Sequence, residues 1–342
     1  MTQQYGNGNS DIESELRKLV HFFPQPPEGF NPLTASPEER EFYGIPPQPD
    51  PTQQFRLARF WTEMYAPPLV FATPPSLLAR LPESIRTDLR VTTTARREAS
   101  LNWSGAYITP RDGQQFTEVH ATWEIPLVTA PPSMPAMAEY RSSIWIGLDG
   151  KRRYFDSSLP QLGTAQFLNG PATVPPYHTW CQWWLRDHPL TYVPAILSVG
   201  VAPSQRVTAI LRVVNETRVH CIIKNQTTNA ILPFTMIAPT HTLLGRQVKI
   251  SGATAEWVVE RPAKQPDELY ELPNYGTVHF TNCVALSAEM PAGGVPGPDR
   301  ERTLDGARLI RMYKTERNPS RTVTLSKAEP PDVDQFRTLY VT

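Results

Sequence analysis

Little in this chain of 342 residues is in excess, and its scarcities narrow the choice of function first. Neither sign of charge dominates: 33 Lys and Arg balance 33 Asp and Glu, for a formal net charge of zero. A surface built for nucleic acid or an anionic membrane carries surplus positive charge, so neither is expected as a partner. Cysteine is rare. Cys181, Cys221 and Cys283 are too widely spaced for a metal motif and odd in number, and read as small buried hydrophobes of a reducing compartment. No run approaches the ~20 apolar residues of a membrane span. The first thirty residues lack a basic stretch followed by an apolar one, which points to a soluble, cytoplasmic chain.

The familiar catalytic signatures are missing as well. There is no HExxH, no GxSxG, no phosphate-cradling GxxxxGK[ST] and no GxGxxG opening a helix. The seven histidines stand singly. Serine-triad, zinc-dependent and nucleotide-dependent chemistry lose their main support, and neither a metal nor a cofactor is expected.

Proline is what the chain has in plenty, 37 residues, and this excludes a mostly helical fold. Fourteen of them fall before residue 95, in clusters such as Pro46-Pro47 and Pro74-Pro75. Two helices are predicted in this arm, over residues 11–22 and 76–89, the second divided by Pro82. Its apolar residues, among them Phe55, Phe60, Trp61 and Tyr65, are too many for a free tail. Residues 1–95 are therefore read as an extension that is either a propeptide-like cover or a packing layer.

From Leu101 the period becomes two. In Ser143–Gly150, Ile144, Ile146 and Leu148 take one face and Trp145, Gly147 and Asp149 the other. His178, Trp180, Gln182 and Trp184 share a face of Tyr177–Leu185, and Arg206–Val214 with Arg218–Lys224 reads as a hairpin turned at Asn215. In Ala253–Glu260, Glu256, Val258 and Glu260 lie opposite Trp257 and Val259. Ala307–Lys314 is a further strand. Many short strands with few helices between them predict an all-β fold, an antiparallel two-sheet β-sandwich over residues 96–315 with a tail at 316–342.

Aromatics beside polar groups on the outward side of such strands suit an extended polymer, peptide or sugar. Glu256 is the sharpest candidate for chemistry. Three readings fit these faces: a peptidase, a lectin-like binding sandwich, and a glycosidase using Glu256 with Asp149 or Glu260.

Seven segments in order resemble the glutamic peptidase, or eqolisin, family: Asn102-Trp-Ser-Gly105, Ala121-Thr-Trp-Glu-Ile-Pro126, Ile144-Trp-Ile-Gly-Leu-Asp-Gly150, Gln161-Leu-Gly163, Tyr177-His-Thr-Trp-Cys-Gln-Trp-Trp184, Ala255-Glu-Trp-Val-Val-Glu260 and Tyr275-Gly-Thr-Val-His-Phe-Thr-Asn282. The resemblance implies a concanavalin- or lectin-like sandwich of two seven-stranded sheets and an endopeptidase acting on protein or peptide in acid, without cofactor or metal. It assigns the catalytic dyad to Glu256, as general base on water, and to Gln161, as oxyanion donor, with Gln166 a rival for the amide. It places Trp145, Asp149, Trp180, Gln182 and Trp184 against substrate, with Gln182 standing where the family carries Glu. Family members are usually secreted, which makes secretion the alternative location. The oligomeric state stays open.

Overall fold

The computed structural model describes residues 14, 16–75, 92–94, 97–111, 113–132, 134–151, 158–185, 194–241, 243–265, 268–289, 297–317 and 320–341. Its principal strands, in chain order, are β1 (Trp103–Ile108), β2 (Gln115–Glu124), β3 (Tyr140–Leu148), β4 (Ser158–Leu168), β5 (Tyr177–Leu185), β6 (Arg206–Asn215) and β7 (Arg218–Asn225). They continue as β8 (Ala230–Ile237), β9 (Ala255–Glu260), β10 (Thr277–Ala288), β11 (Arg308–Arg317), β12 (Ser320–Ala328) and β13 (Phe336–Tyr340). One antiparallel layer runs β5-β4-β3-β9-β1-β11, and the other runs β13-β10-β2-β6-β7-β8. Strand β12 pairs with both β11 and β13, so the ladder passes unbroken from one layer to the other.

Alternation explains the core. Ile144, Ile146 and Leu148 of β3 and Trp257 and Val259 of β9 point inward, to meet Val207, Ala209 and Leu211 of β6 and Cys221 and Ile223 of β7. Two indoles bridge the layers while satisfying their own polar atoms: Trp123 Nε1 donates to Thr164 Oγ1 at 3.0 Å, and Trp257 Nε1 donates to the His120 carbonyl at 3.0 Å. Cys181, Cys221 and Cys283 are all buried and unpaired, and burial pushes their thiols well up. The β6–β7 hairpin closes as the sequence predicts, with Asn215 Oδ1 accepting from the Thr217 backbone N–H at 3.0 Å.

The described stretch of the arm from Phe30 to Phe71 packs on the far side of the second layer, whereas Thr92–Thr94 pairs with Arg97–Ser100 beside β11 of the first layer. Two helices, α1 (Pro37–Phe42) and α2 (Phe55–Tyr65), are not among those expected above, although Leu57, Ala58, Trp61, Met64 and Tyr65 of α2 recur at helical spacing. Ser36 caps α1, its Oγ accepting from the Glu39 N–H while Glu39 bonds back to the Ser36 N–H. Helix α2 lays Trp61, Met64 and Tyr65 over Ile210, Ile222 and Ile231 of the sheet. Lys224 Nζ, buried on that sheet, donates to the Met64 carbonyl at 2.7 Å near the C-terminus of α2. A cation there is favoured by the helix dipole.

Two helix predictions need comment. The one over 11–22 ends early: residues 16–19 are helical, but Val20–Phe22 is a strand antiparallel to β8, where Val20 joins the core and the backbone gains edge partners. The one over 76–89 lies outside the described residues.

Candidate active site

The face of the first layer turned away from the core carries a different set of side chains. Trp103 and Tyr107 come from β1, Trp145 from β3, Leu159 from β4, Trp180 and Trp184 from β5 and Val258 from β9, all buried in one cluster. Strand β3 is thus covered on both faces and buried along its whole length.

Register places the polar candidates in one row of this face. Gln182 of β5 pairs with Gln161 of β4, Gln161 with Gly147 of β3, Gly147 with Glu256 of β9, and Glu256 with Tyr107 of β1. Gln161 and Glu256 therefore flank a glycine. Their Cα atoms are two strand spacings apart, ~9.5 Å. The space over Gly147 between them is closed by Leu159 and Trp145: a Cβ at 147 would lie 2.7 Å from Leu159 Cδ1 and 3.0 Å from Trp145 Cζ3, so only a glycine fits under these two side chains.

Gln161 Nε2 donates to Gln182 Oε1 at 2.7 Å, which fixes the amide. Glu256 Oε1 accepts from the Lys151 backbone N–H at 3.2 Å, and the Thr254 hydroxyl also bonds to this carboxyl. The remaining oxygens, Gln161 Oε1 and Glu256 Oε2, are buried and have no hydrogen-bond partner among the described residues. A buried carboxyl oxygen and a buried amide oxygen without partners leave hydrogen-bonding capacity unused on either side of Gly147.

The site is dry. Gln161 and Glu256 are both 0% exposed, so a substrate reaches them only when this face opens. Burial, with a smaller push from the Asp149 charge, raises the Glu256 carboxyl to about 8 against the pull of its hydrogen bonds and of Lys151. Beyond Glu256, Tyr107 donates its hydroxyl to Glu98 at 2.5 Å, and Lys151 pairs with the same Glu98 carboxylate. Sequence reading missed Gly147, Thr254, Lys151, Glu98 and Tyr107 as parts of the site. Only Gly147, a glycine amid branched residues in a strand, carried a signal.

The other candidates divide by position. Gln166, the rival amide, points to the inter-layer side, where Ser142 Oγ donates to its Oε1 at 3.1 Å and its Nε2 donates to Thr164 at 3.0 Å. Trp145 and Trp180 face the site cluster with Trp184. Asp149 lies past the end of β3, at φ 68°, and its carboxylate accepts from the Ser251 N–H, the Ser251 hydroxyl and the Ala253 N–H at 2.6 to 2.9 Å. It anchors the segment that leads into β9 and so steadies Glu256. Glu260 accepts from three N–H donors described below, and its Cα is ~13 Å from that of Glu256 along the strand, beyond the 5 to 9.5 Å a glycosidase pair needs.

Two hollows among the described residues lie elsewhere, both beside the arm. One, about 400 Å³, is lined by residues including Phe60 and His120, and the other, about 1000 Å³, by residues including Arg40 and His220. Neither touches the Gln161 row. No group of three or more His, Cys, Asp or Glu among the described residues could hold a metal, and no described helix is long and apolar enough to cross a membrane.

Comparison with known proteins agrees with this architecture. The fold resembles that of a scytalido-glutamic peptidase solved with a peptide-based transition-state analogue, at 16% identity and a TM-score of 0.51, covering 70% of this chain and 98% of the other. It also resembles SCP-B, a member of the eqolisin family of peptidases solved with the tripeptide Ala-Ile-His, at 16% identity and a TM-score of 0.50 over the same shares. No curated protein sequence matches the chain. Residues 101–332, from the start of β1 to beyond β12, match the Peptidase A4 family, and the chain belongs to that family of peptide hydrolases.

Proposed function

We propose that the chain is an endopeptidase whose reaction centre lies over Gly147, with Gln161 and Glu256 acting on a peptide bond held between them once Leu159 and Trp145 give way. The observation that carries this reading is the register that sets Gln161 and Glu256 on either side of Gly147, with Glu256 Oε2 buried and without a hydrogen-bond partner among the described residues.

Peptide hydrolysis needs a base for water and a donor for the oxygen that becomes negative. Ionised Glu256 takes the proton from a water admitted with the substrate, and that water attacks the carbonyl carbon. Gln161 Nε2 has two hydrogens, of which one goes to Gln182, leaving the other for the developing oxyanion. The proton on Glu256 then passes to the departing amine. Gln182 keeps the amide oriented with a neutral oxygen, so no second carboxylate titrates in the row.

The raised carboxyl of Glu256 modifies the acid range that the family resemblance implies. While the site is closed Glu256 holds its proton up to about pH 8, and the base form is scarce in acid. The test of the pairing is Gln161→Leu, which removes the donor and keeps the volume. A loss of about 10²- to 10³-fold in kcat with peptide binding retained is expected, and an unchanged kcat overturns the role.

A further inference from the structure

Glu260 is a buried carboxylate facing the site side of β9, and no basic residue is needed to hold it. Its Oε2 accepts from Trp145 Nε1 at 2.8 Å; its Oε1 accepts from Trp103 Nε1 at 3.1 Å and from Asn102 Nδ2 at 3.3 Å. The two indoles meet edge to face, with centroids 4.8 Å apart. Burial works against the charge and raises the carboxyl to about 8, while all three donors pull the other way. So costly a group, fully buried, calls for a purpose beyond filling space.

The purpose follows from where the Trp145 ring ends. Its N–H points at Glu260, and its benzo edge lies over Gly147, where a Cβ would come within 3.0 Å of Trp145 Cζ3. The neighbouring Gly163 makes room for this placement, since a Cβ there would lie 2.6 Å from Trp145 Cβ. The indole thus spans the distance from Glu260 to the wall of the space between Gln161 and Glu256.

We infer that Glu260 is a positioning residue: by gripping the indole N–H of Trp145 it fixes the benzo edge that lies over Gly147, between Gln161 and Glu256, and so sets how the scissile peptide bond is received there. Its catalytic consequence rests on the endopeptidase reading above; the grip itself does not. Glu260→Gln leaves one acceptor oxygen and turns an NH₂ toward one of the two indoles, so the volume is kept and the grip is broken. Trp145→Phe keeps a ring and deletes the N–H.

Two measurements on the full chain test this. In spectra of protein labelled with [¹⁵N]tryptophan, Glu260→Gln should shift the Trp103 and Trp145 indole N–H signals and speed exchange of the Trp145 proton at least tenfold. Unchanged signals and exchange overturn the inference, whether or not the protein cleaves anything. In kinetics with a denatured protein, Glu260→Gln and Trp145→Phe should each lower kcat about tenfold with little change in KM, and the double variant should be no worse than either single one. Effects that add in the double variant show Glu260 acting on the fold at large and overturn the positioning role. Altered indole signals with no cleavage even by the wild-type chain would leave Glu260's grip on Trp145 standing and remove the endopeptidase reading.

Discussion

Gln161 and Glu256 stand opposite the same residue, Gly147, one from each neighbouring strand, and each keeps one buried oxygen without a partner. The lack of a side chain at 147 lets Leu159 and Trp145 close down between the pair, so a peptide can reach both groups only when these two side chains move.

Gly147→Ala puts a methyl 2.7 Å from Leu159 Cδ1 and 3.0 Å from Trp145 Cζ3, which must both shift. Peptidase activity should fall at least tenfold, with stability reduced by about 1 to 3 kcal/mol from overpacking. Steady-state kinetics beside thermal melting separates the two effects. Activity per folded molecule equal to wild type would show that substrate does not sit over residue 147.

The rate should depend on pH through Glu256. kcat/KM reports the free enzyme, in which burial holds this carboxyl at about 8. The ascending limb is expected near pH 7 to 8, and a limb near pH 4 contradicts the dry resting site.

Stability carries the same signature with the sign worked out. Below the unfolded value of about 4.5 both states hold the proton, and no difference arises. Between there and about 8 the folded chain retains a proton that the unfolded chain has lost, so stability declines as pH rises. Each unit of displacement corresponds to about 1.4 kcal/mol. Glu256→Gln removes this penalty, and should raise Tm relative to wild type at pH 8 by several degrees more than at pH 4. Equal differences at the two pH values would show that Glu256 is solvated.

The arm packs on the second layer, opposite the candidate site, through Trp61, Met64 and Tyr65. Trp61→Ala should cost about 3 to 5 kcal/mol by leaving a cavity, yet the folded fraction should keep wild-type kcat. A rise in activity on loosening this part of the arm would mean that it covers the site.

The strands were legible in the sequence because alternation is local: Ile144, Ile146 and Leu148 declare one face of β3 within five residues. Gln161 and Gln166 were not separable at that level, because which face a residue takes depends on strand phase, and only register puts Gln161 beside Gly147 and Gln166 beside Ser142. The assignment of Asp149 to the binding face extended the alternation one residue past the point where the backbone turns to φ 68° and sends the carboxylate to Ser251 and Ala253. Helix α2 was legible too, since Leu57, Trp61, Met64 and Tyr65 recur at helical spacing; what the sequence does not tell is that this stripe covers Ile210, Ile222 and Ile231, more than a hundred residues away. The raised carboxyls of Glu256 and Glu260 reflect burial from both sides of a sheet, which period two cannot reveal.

The most direct test of the central claim compares wild type with Glu256→Gln in hydrolysis of a denatured protein from pH 3 to pH 9, with folding checked by circular dichroism. The account predicts new peptide fragments from wild type and none above background from the folded variant at any pH. Fragment release by folded Glu256→Gln at the wild-type rate would contradict it.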